Sequence, residues 1–107
     1  MKITFKKNWT IEGNEKYLRG EYKATIKCYT KAIESDELDA EAFLNRGITF
    51  HDMGLFSEAI SDFTEAINLI PNYSEAYRNR ALAYYSIKDS RKALADYNKA
   101  SQLAGAS

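Results

Sequence analysis

The chain repeats itself every 34 residues, and this repetition limits its possible folds more than any other feature. Shifted by 34 positions, residues 41–47 fall on residues 75–81 and reproduce their order of acidic, small, aromatic and basic side chains. The opposite shift aligns the first third of the chain with the second, and neither alignment needs a gap. The matched pairs include Trp9 with Phe43, Gly13 with Gly47, Tyr29 with Phe63, Phe43 with Tyr77, and Phe63 with Tyr97. Three stacked copies of one supersecondary unit are therefore predicted.

Each unit has the pattern of two helices. In the second unit Phe43, Gly47 and Phe50 recur at i, i+4 and i+7, which is one stripe of an α-helix. Gly54 then interrupts the pattern and can end the helix in a left-handed conformation. A second apolar stripe follows, and Pro71 closes the unit. The predicted helices span residues 6–19, 22–35, 40–53, 56–70, 74–87 and 90–103.

The order of bulky, small, aromatic and small residues before a closing proline resembles the tetratricopeptide repeat family over nearly the whole chain. The resemblance implies an all-α fold, a right-handed α–α superhelix (solenoid) of three antiparallel helical hairpins in one domain. The implied repeats span residues 6–39, 40–73 and 74–107 with its short tail, after an N-terminal lead-in over residues 1–5. The first unit departs from the pattern at Lys16, Thr25 and Glu37, so we expect its hairpin to pack less tightly.

Two arginines stand where many repeats of this family carry leucine. Arg46 precedes Asp62 by 16 residues, and Arg80 precedes Asp96 by the same interval, each pair on successive helices of one unit. Two interpretations are open. Each pair bridges the two helices of its hairpin, or the charges are independently solvated, because exposed ion pairs contribute only about 0–1 kcal/mol.

The third unit differs from the others on the side where a further unit would stack. Ser101 replaces an isoleucine and Ser90 an aromatic residue, so we expect a natural end of the array, with Leu94 and Leu103 left as an apolar patch. Lys88 stands where the other hairpins have glycine. Either Lys88 forms a left-handed turn at a cost of about 1 kcal/mol, or the helix continues and two chains exchange their last helices. A monomer is favoured, with a dimer through the C-terminal hairpin as the alternative.

The composition argues against several classes of function. Lysine plus arginine and aspartate plus glutamate number 15 each, so no excess of positive charge favours nucleic acid or a membrane surface. No apolar run approaches the roughly 20 residues that span a bilayer. The single histidine, His51, and the single cysteine, Cys28, lie on different units, so neither a Cys–His nucleophile nor a zinc site is expected. We expect no enzymatic activity, no cofactor and, since a lone cysteine fits a reducing compartment, a cytoplasmic location.

The family resemblance places function on a concave surface, where the first helix of each hairpin lines a groove for an extended or helical peptide. The candidate lining mixes apolar side chains with amides, which can donate to and accept from a peptide backbone. The candidate groove residues are Thr10, Asn14, Tyr17, Leu44, Asn45, Ile48, His51, Arg78, Asn79, Leu82 and Tyr85. An alternative stays open, in which Leu44, Ile48 and Leu82 are partly buried between helices and His51 has no role in binding.

One subset of the family binds the acidic C-terminal tails of the major heat-shock chaperones through a clamp of Lys, Asn, Asn, Lys and Arg. The corresponding residues are Thr10, Asn14, Asn45, Glu75 and Asn79. Both asparagines match and all three cations are absent, so a chaperone-tail adaptor is not expected. The sequence predicts an adaptor or scaffold that binds a protein or peptide in the groove. A self-association module is the alternative.

Overall fold

The computed structural model describes residues 7–105, which form six α-helices joined by short turns. The helices are α1 (Trp9–Leu18), α2 (Tyr22–Ser35), α3 (Ala40–Asp52), α4 (Phe56–Leu69), α5 (Ser74–Ser86) and α6 (Ser90–Ala104). The predicted bounds agree within one residue except at the start of α1. There the side chain of Asn8 accepts a hydrogen bond from the Ile11 amide at 3.1 Å and caps the helix. The predicted lead-in, residues 1–5, lies outside the described residues.

The helices pack as three hairpins, α1 with α2, α3 with α4, and α5 with α6, which stack through α2 on α3 and α4 on α5. The array is elongated, with extents of 55 × 31 × 19 Å. The prediction of an all-α solenoid of helical hairpins is confirmed, and the right-handed sense of the superhelix stays a prediction. No helix between residues 7 and 105 has both the length and the apolar character needed to cross a membrane.

In the second hairpin an aromatic ring packs directly against a bare helix backbone. Phe63 of α4 is fully buried and lies against Gly47 of α3. A Cβ atom added at Gly47 would come within 2.6 Å of Phe63 Cε1 and 3.2 Å of Asp62 Cβ. Any larger residue would therefore push α3 and α4 apart.

The third hairpin closes through a left-handed lysine. Lys88 has φ 65°, close to the φ of 77° at Gly54, which holds the matching place in the second hairpin. Asp89 supports the turn, because its side chain accepts a hydrogen bond from the Lys92 amide at 3.2 Å and caps α6. In this structure Lys88 takes the left-handed turn, which is the first of the two alternatives that the sequence left open.

An arginine joins each of the last two hairpins to the hairpin before it. In the second hairpin Arg46 Nε and Nη2 donate to Asp62 Oδ2 and Oδ1, both at 2.8 Å. Arg46 Nη1 donates to Thr30 Oγ1 of the first hairpin at 3.2 Å. Burial raises the pKa of Asp62, whose side chain is 6% exposed, and the hydrogen bonds and charge of Arg46 oppose that rise. The bridging interpretation of the arginine–aspartate pairs is confirmed.

The third hairpin repeats this arrangement. Arg80 donates to both carboxylate oxygens of Asp96 at 2.7 and 2.9 Å and to Thr64 Oγ1 of the second hairpin at 3.2 Å. The rings of Tyr77 and Tyr84 lie 5.4 and 5.8 Å from the guanidinium carbon, within the range of a cation–π contact. Hydrogen bonding to Asp96 raises the pKa of Arg80. The arginine is therefore a repeated connector between hairpins.

We expect strong coupling in a double-mutant cycle on this connector. Arg46→Leu and Asp62→Ala should each cost about 3 kcal/mol, because each leaves a buried polar partner unpaired. The double variant should cost about 2 kcal/mol less than the sum. Urea unfolding followed by circular dichroism gives the four free energies. The matched control is the exposed pair Lys31 and Glu34, 3.8 Å apart, whose coupling should stay below about 0.5 kcal/mol. A coupling at Arg46 and Asp62 no larger than in the control would contradict the prediction.

Candidate functional site

A cavity of about 210 Å³ opens between α1 and α3, the first helices of the first two hairpins. Its lining residues are Asn14, Tyr17, Leu18, Tyr29, Asn45 and Ile48. Sequence reasoning assigned four of these to the groove and missed Leu18 and Tyr29. The structure therefore brings four of the eleven predicted groove residues together around one cavity.

Hydrogen bonds from two tyrosines shape this cavity. The hydroxyl of Tyr29, a buried residue of α2, donates to Asn14 Oδ1, and the hydroxyl of Tyr17 donates to Asp52 Oδ2 near the end of α3. The bond from Tyr29 uses the amide oxygen of Asn14, which leaves its two N–H groups as donors for a ligand. Asn45 lines the same cavity from α3 and supplies a second amide. The cavity thus combines apolar walls with two amides, a combination suited to an extended peptide.

Both tyrosines keep their protons well above neutral pH. The hydrogen bond to Asp52, followed by burial, raises the pKa of Tyr17 to about 12. Burial is the main cause that raises the pKa of Tyr29 to about 12. The phenolic groups therefore act as fixed hydrogen-bond donors within the cavity wall, and their polarity is already satisfied by protein acceptors.

The third hairpin extends this surface with more exposed side chains. Leu82 and Tyr85 are exposed apolar residues of α5, and Arg78 is exposed on the same helix. Asn79 is half-buried, and its amide nitrogen donates to the backbone oxygen of Glu75 at 2.8 Å. This bond occupies part of the hydrogen-bonding capacity of Asn79, so Arg78, Leu82 and Tyr85 are the residues of α5 most available to a ligand.

Leu44 does not lie on the groove surface. It is 2% exposed and belongs to the central apolar cluster with Phe63 and Ile67 of α4. Ile48, one turn later on the same face, also packs against this cluster but is only partly buried and lines the cavity. Thr10, at the matching position of α1, is half-buried. The prediction of Leu44 as a lining residue is therefore corrected to a core residue.

His51 connects the ends of two first helices. Its Nε2 lies 3.4 Å from Ser86 Oγ of α5, and its Nδ1 lies 4.0 Å from Asp52 Oδ1. The ring packs edge-on against Phe56, with 5.1 Å between centroids. Through these contacts His51 links the end of α3 to the end of α5, at the edge of the groove, which we call the rim.

Two residues that sequence reasoning missed, Leu18 and Asp52, could have been found from helical spacing. Leu18 follows Asn14 by four residues, and Asp52 follows Ile48 by four, so each lies on the groove face of its helix. Tyr29 comes from a second helix, where the repeat pattern assigned its ring to the core. The ring is buried as that pattern requires, and only the hydroxyl reaches the groove.

Within residues 7–105 no group of three histidine, cysteine, aspartate or glutamate side chains has a geometry that could hold a metal ion. Cys28 is buried, and burial raises the pKa of its thiol. A thiol in this state is a weak nucleophile. What the groove offers is a shaped surface with apolar walls and amide hydrogen-bonding groups.

Comparison with protein families finds tetratricopeptide repeats along most of the chain. A model described as a TPR repeat matches residues 13–54, and models described as tetratricopeptide repeats match residues 40–73 and 74–106. A curated relative, the Hsp70-Hsp90 organizing protein of Triticum aestivum, is 36% identical over 50 residues, which are 47% of this chain and 9% of that protein. The chain thus spans less than a tenth of the length of this relative.

Two solved structures closely share the fold. The first TPR domain of Spaghetti (RPAP3), bound to the HSP90 peptide SRMEEVD, has a TM-score of 0.87 and 28% identity over 89% of this chain and 75% of that chain. The TPR2B domain of yeast Sti1, in a complex with pHsp70, has a TM-score of 0.87 and 29% identity over 89% of this chain and 76% of that chain. Peptide complexes therefore exist for domains with this arrangement of hairpins.

We expect the bond between Tyr17 and Asp52 to appear in an alkaline titration. Because the pKa of Tyr17 rises on folding from 10.0 to about 12, its contribution to stability is complete below pH 10 and is lost as the pH rises toward 12. Absorbance of tyrosinate at 295 nm should show Tyr17 ionising late, and Asp52→Asn should lower its pKa toward 10.0 by removing the carboxylate. Tyr17→Phe identifies its contribution to the curve. An unchanged titration of Tyr17 in Asp52→Asn would contradict this assignment.

Proposed function

The chain belongs to the tetratricopeptide repeat family, and from this premise we propose that it is a non-enzymatic adaptor or scaffold that binds a peptide or protein segment in its groove. The observation that carries the proposal is the cavity between α1 and α3, with Ile48 in its wall and the amides of Asn14 and Asn45 at its edges. The HSP90 peptide on RPAP3 and the pHsp70 complex of Sti1 support peptide binding by this fold.

The ligand is proposed to lie across the first helices of the hairpins. One apolar side chain enters the cavity of about 210 Å³ beside Leu18 and Ile48. The amides of Asn14 and Asn45 then hydrogen-bond the ligand backbone on either side of that side chain. Farther along, exposed Leu82 provides apolar contact on α5. Burial of the apolar side chain supplies the affinity, and the amides fix the direction of the peptide.

We propose a ligand other than the acidic tails bound by the chaperone adaptors. A clamp for two carboxylates needs cations where this chain has Thr10, Glu75 and Asn79. Glu75 is exposed on α5 and would repel a carboxylate. The asparagine half of the clamp is present and the cationic half is absent, which favours a ligand that is neutral or basic in this region.

A reducing, cytoplasmic setting and the lack of catalysis are parts of the same proposal. Cys28 is a free, buried thiol, which is compatible with a reducing compartment and with no exposed nucleophile. His51 is engaged with Ser86 and Phe56 on the rim, which supports a structural role for this histidine.

Peptides can be selected on the wild-type protein from a random phage-displayed library, and their binding should depend on Ile48. We expect Ile48→Glu to weaken binding of the selected peptides at least tenfold, because it places a charge where an apolar side chain is buried. Isothermal titration calorimetry measures the affinities, and thermal unfolding checks that the variant is folded. The matched control is Ser61→Glu at an exposed position of α4, which should leave the affinity within about twofold. Equal affinities for wild type and folded Ile48→Glu would place the binding site elsewhere.

Restoring the missing cations should create affinity for an acidic tail. In fluorescence anisotropy with the peptide SRMEEVD, we expect a wild-type Kd weaker than about 1 mM. The triple variant Thr10→Lys, Glu75→Lys, Asn79→Arg should bind at least tenfold more tightly, because Asn14 and Asn45 are already in place. Adding Asn45→Ala to the triple variant should remove most of that gain. Wild-type binding as tight as that of the triple variant would overturn the exclusion of acidic tails.

A further inference from the structure

On one face of α3 the cavity residues lie between two carboxylates. Successive residues of a helix are about 100° apart, so Glu41, Asn45, Ile48 and Asp52 fall within an arc of about 60°. Along the axis, at about 1.5 Å per residue, Asp52 follows Ile48 by about 6 Å and Glu41 precedes it by about 10 Å. The apolar wall that α3 gives to the cavity therefore has a carboxylate beyond each end.

A hydrogen bond holds Asp52 at the edge of the cavity. The hydroxyl of Tyr17, a residue that lines the cavity, donates to Asp52 Oδ2. The other oxygen, Oδ1, lies 4.0 Å from His51 Nδ1, and His51 carries a positive charge only when it is protonated. Within residues 7–105 no lysine or arginine nitrogen lies within 4.0 Å of this carboxylate. Asp52 is therefore open to a cation that a ligand brings.

The repeat does not require an acid at residue 52. The matching residues are Leu18 on α1 and Ser86 on α5, and both are exposed. The hydrogen bond from Tyr17 needs an acceptor oxygen, which an asparagine side chain also carries. Packing and this hydrogen bond therefore leave the negative charge of Asp52 without a structural reason.

The cations of the first two hairpins point away from the cavity or are already paired. Arg46 belongs to the connector on the opposite side of α3. Lys16 and Arg19 lie about 200° and 140° around α1 from the asparagine of the cavity wall. Lys7, before the start of α1, pairs with Glu12 at 3.0 Å. These cations therefore do not oppose a positively charged ligand at the cavity.

The cations of the third hairpin lie away from Asp52. Arg78 is on the groove face of α5, eight residues before Ser86, the counterpart of Asp52. This interval is about 12 Å along the helix, which exceeds the screening length of about 8 Å at physiological ionic strength. Lys88 lies in the turn after α5 and lines a separate cavity together with Phe56.

The second hairpin, which supplies Asn45, Ile48 and Asp52, is the acidic part of the array. Residues 40–69 contain five carboxylates and a single arginine, whereas residues 74–104 contain six cations and three carboxylates. The charge of Glu41 reaches the cavity, because it adds to burial, the main cause, in raising the pKa of Tyr29 to about 12. The potential at the cavity therefore favours positive charge.

Resting on the peptide binding proposed above, we propose that the ligand carries a lysine or arginine next to the apolar residue that enters the cavity. The ligand cation pairs with Asp52 Oδ1, the oxygen that Tyr17 does not use. A long flexible side chain spans the distance of about 6 Å from Ile48 to Asp52. Glu41 attracts further positive charge at the other end of the same face. Asp52 thus selects the charge of the ligand, while burial of the apolar residue supplies the affinity.

Peptides selected on the wild-type protein from a random phage-displayed library, at about pH 7.5 and about 50 mM salt, test this assignment. We expect a lysine or arginine beside the apolar residue in most of them. Asp52→Asn keeps an acceptor for Tyr17 and should weaken their binding roughly fivefold in isothermal titration calorimetry. The matched control is Glu65→Gln, which removes one charge from an exposed position of α4 and should change the affinity less than about twofold.

A charge exchange identifies the contact. A selected peptide whose basic residue is replaced by glutamate should bind folded Asp52→Lys at least tenfold more tightly than it binds wild type, and the original peptide should show the reverse order. Selected peptides that lack a basic residue, or that bind wild type and Asp52→Asn equally, overturn this inference. Their dependence on Ile48 would still uphold binding in the groove, whereas independence from both Ile48 and Asp52 would overturn both proposals.

Discussion

The contact of Phe63 with the bare backbone of Gly47 sets how closely the two helices of a hairpin approach. The ring fills the space that a side chain on α3 would otherwise occupy, and an added Cβ atom would meet Phe63 Cε1 at 2.6 Å. Tyr29 repeats the contact against Gly13 in the first hairpin. Because packing of this kind has no slack, the separation of the helices is nearly fixed. The positions of the groove side chains on α1 and α3 follow from these two contacts.

The connecting arginines, Arg46 and Arg80, fix how each hairpin is aligned with the one before it. Apolar contacts between hairpins are tolerant of small sliding, whereas a guanidinium bonded to Asp62 in its own hairpin and to Thr30 in the preceding one defines a single register. With the register fixed, α1 and α3 present Asn14 and Asn45 to the same cavity. Tyr29 serves both the core and the groove, because its ring packs in the core and its hydroxyl orients Asn14. The wall of the groove and the core therefore share residues.

The sequence predicted correctly the features that recur in every repeat. It failed for single side chains whose surroundings differ from those of their counterparts in the other repeats. Six helices followed from the 34-residue period, because equivalent residues have equivalent neighbours. The period also placed each arginine 16 residues before an aspartate, but it left open whether the two side chains bridge. Leu44 was assigned to the groove by its position, yet it is buried in the central apolar cluster, whereas Ile48, one turn later on the same face, packs partly against that cluster and still lines the cavity. The start of α1 depends on the local cap formed by Asn8, which the repeat pattern does not encode. Leu18 was recoverable from helical spacing, whereas the role of the Tyr29 hydroxyl required coordinates.

The surface that remains after packing is where this chain differs from others with the same arrangement of hairpins. The core needs aromatic rings, small residues and the connecting arginines at fixed positions. At the other, exposed positions the charge can vary without disturbing the fold. In the groove that freedom appears as Thr10, Glu75 and Asn79 in place of three cations, with the asparagines kept. Outside the groove it appears as acidity gathered in residues 34–41 and basicity gathered along α6.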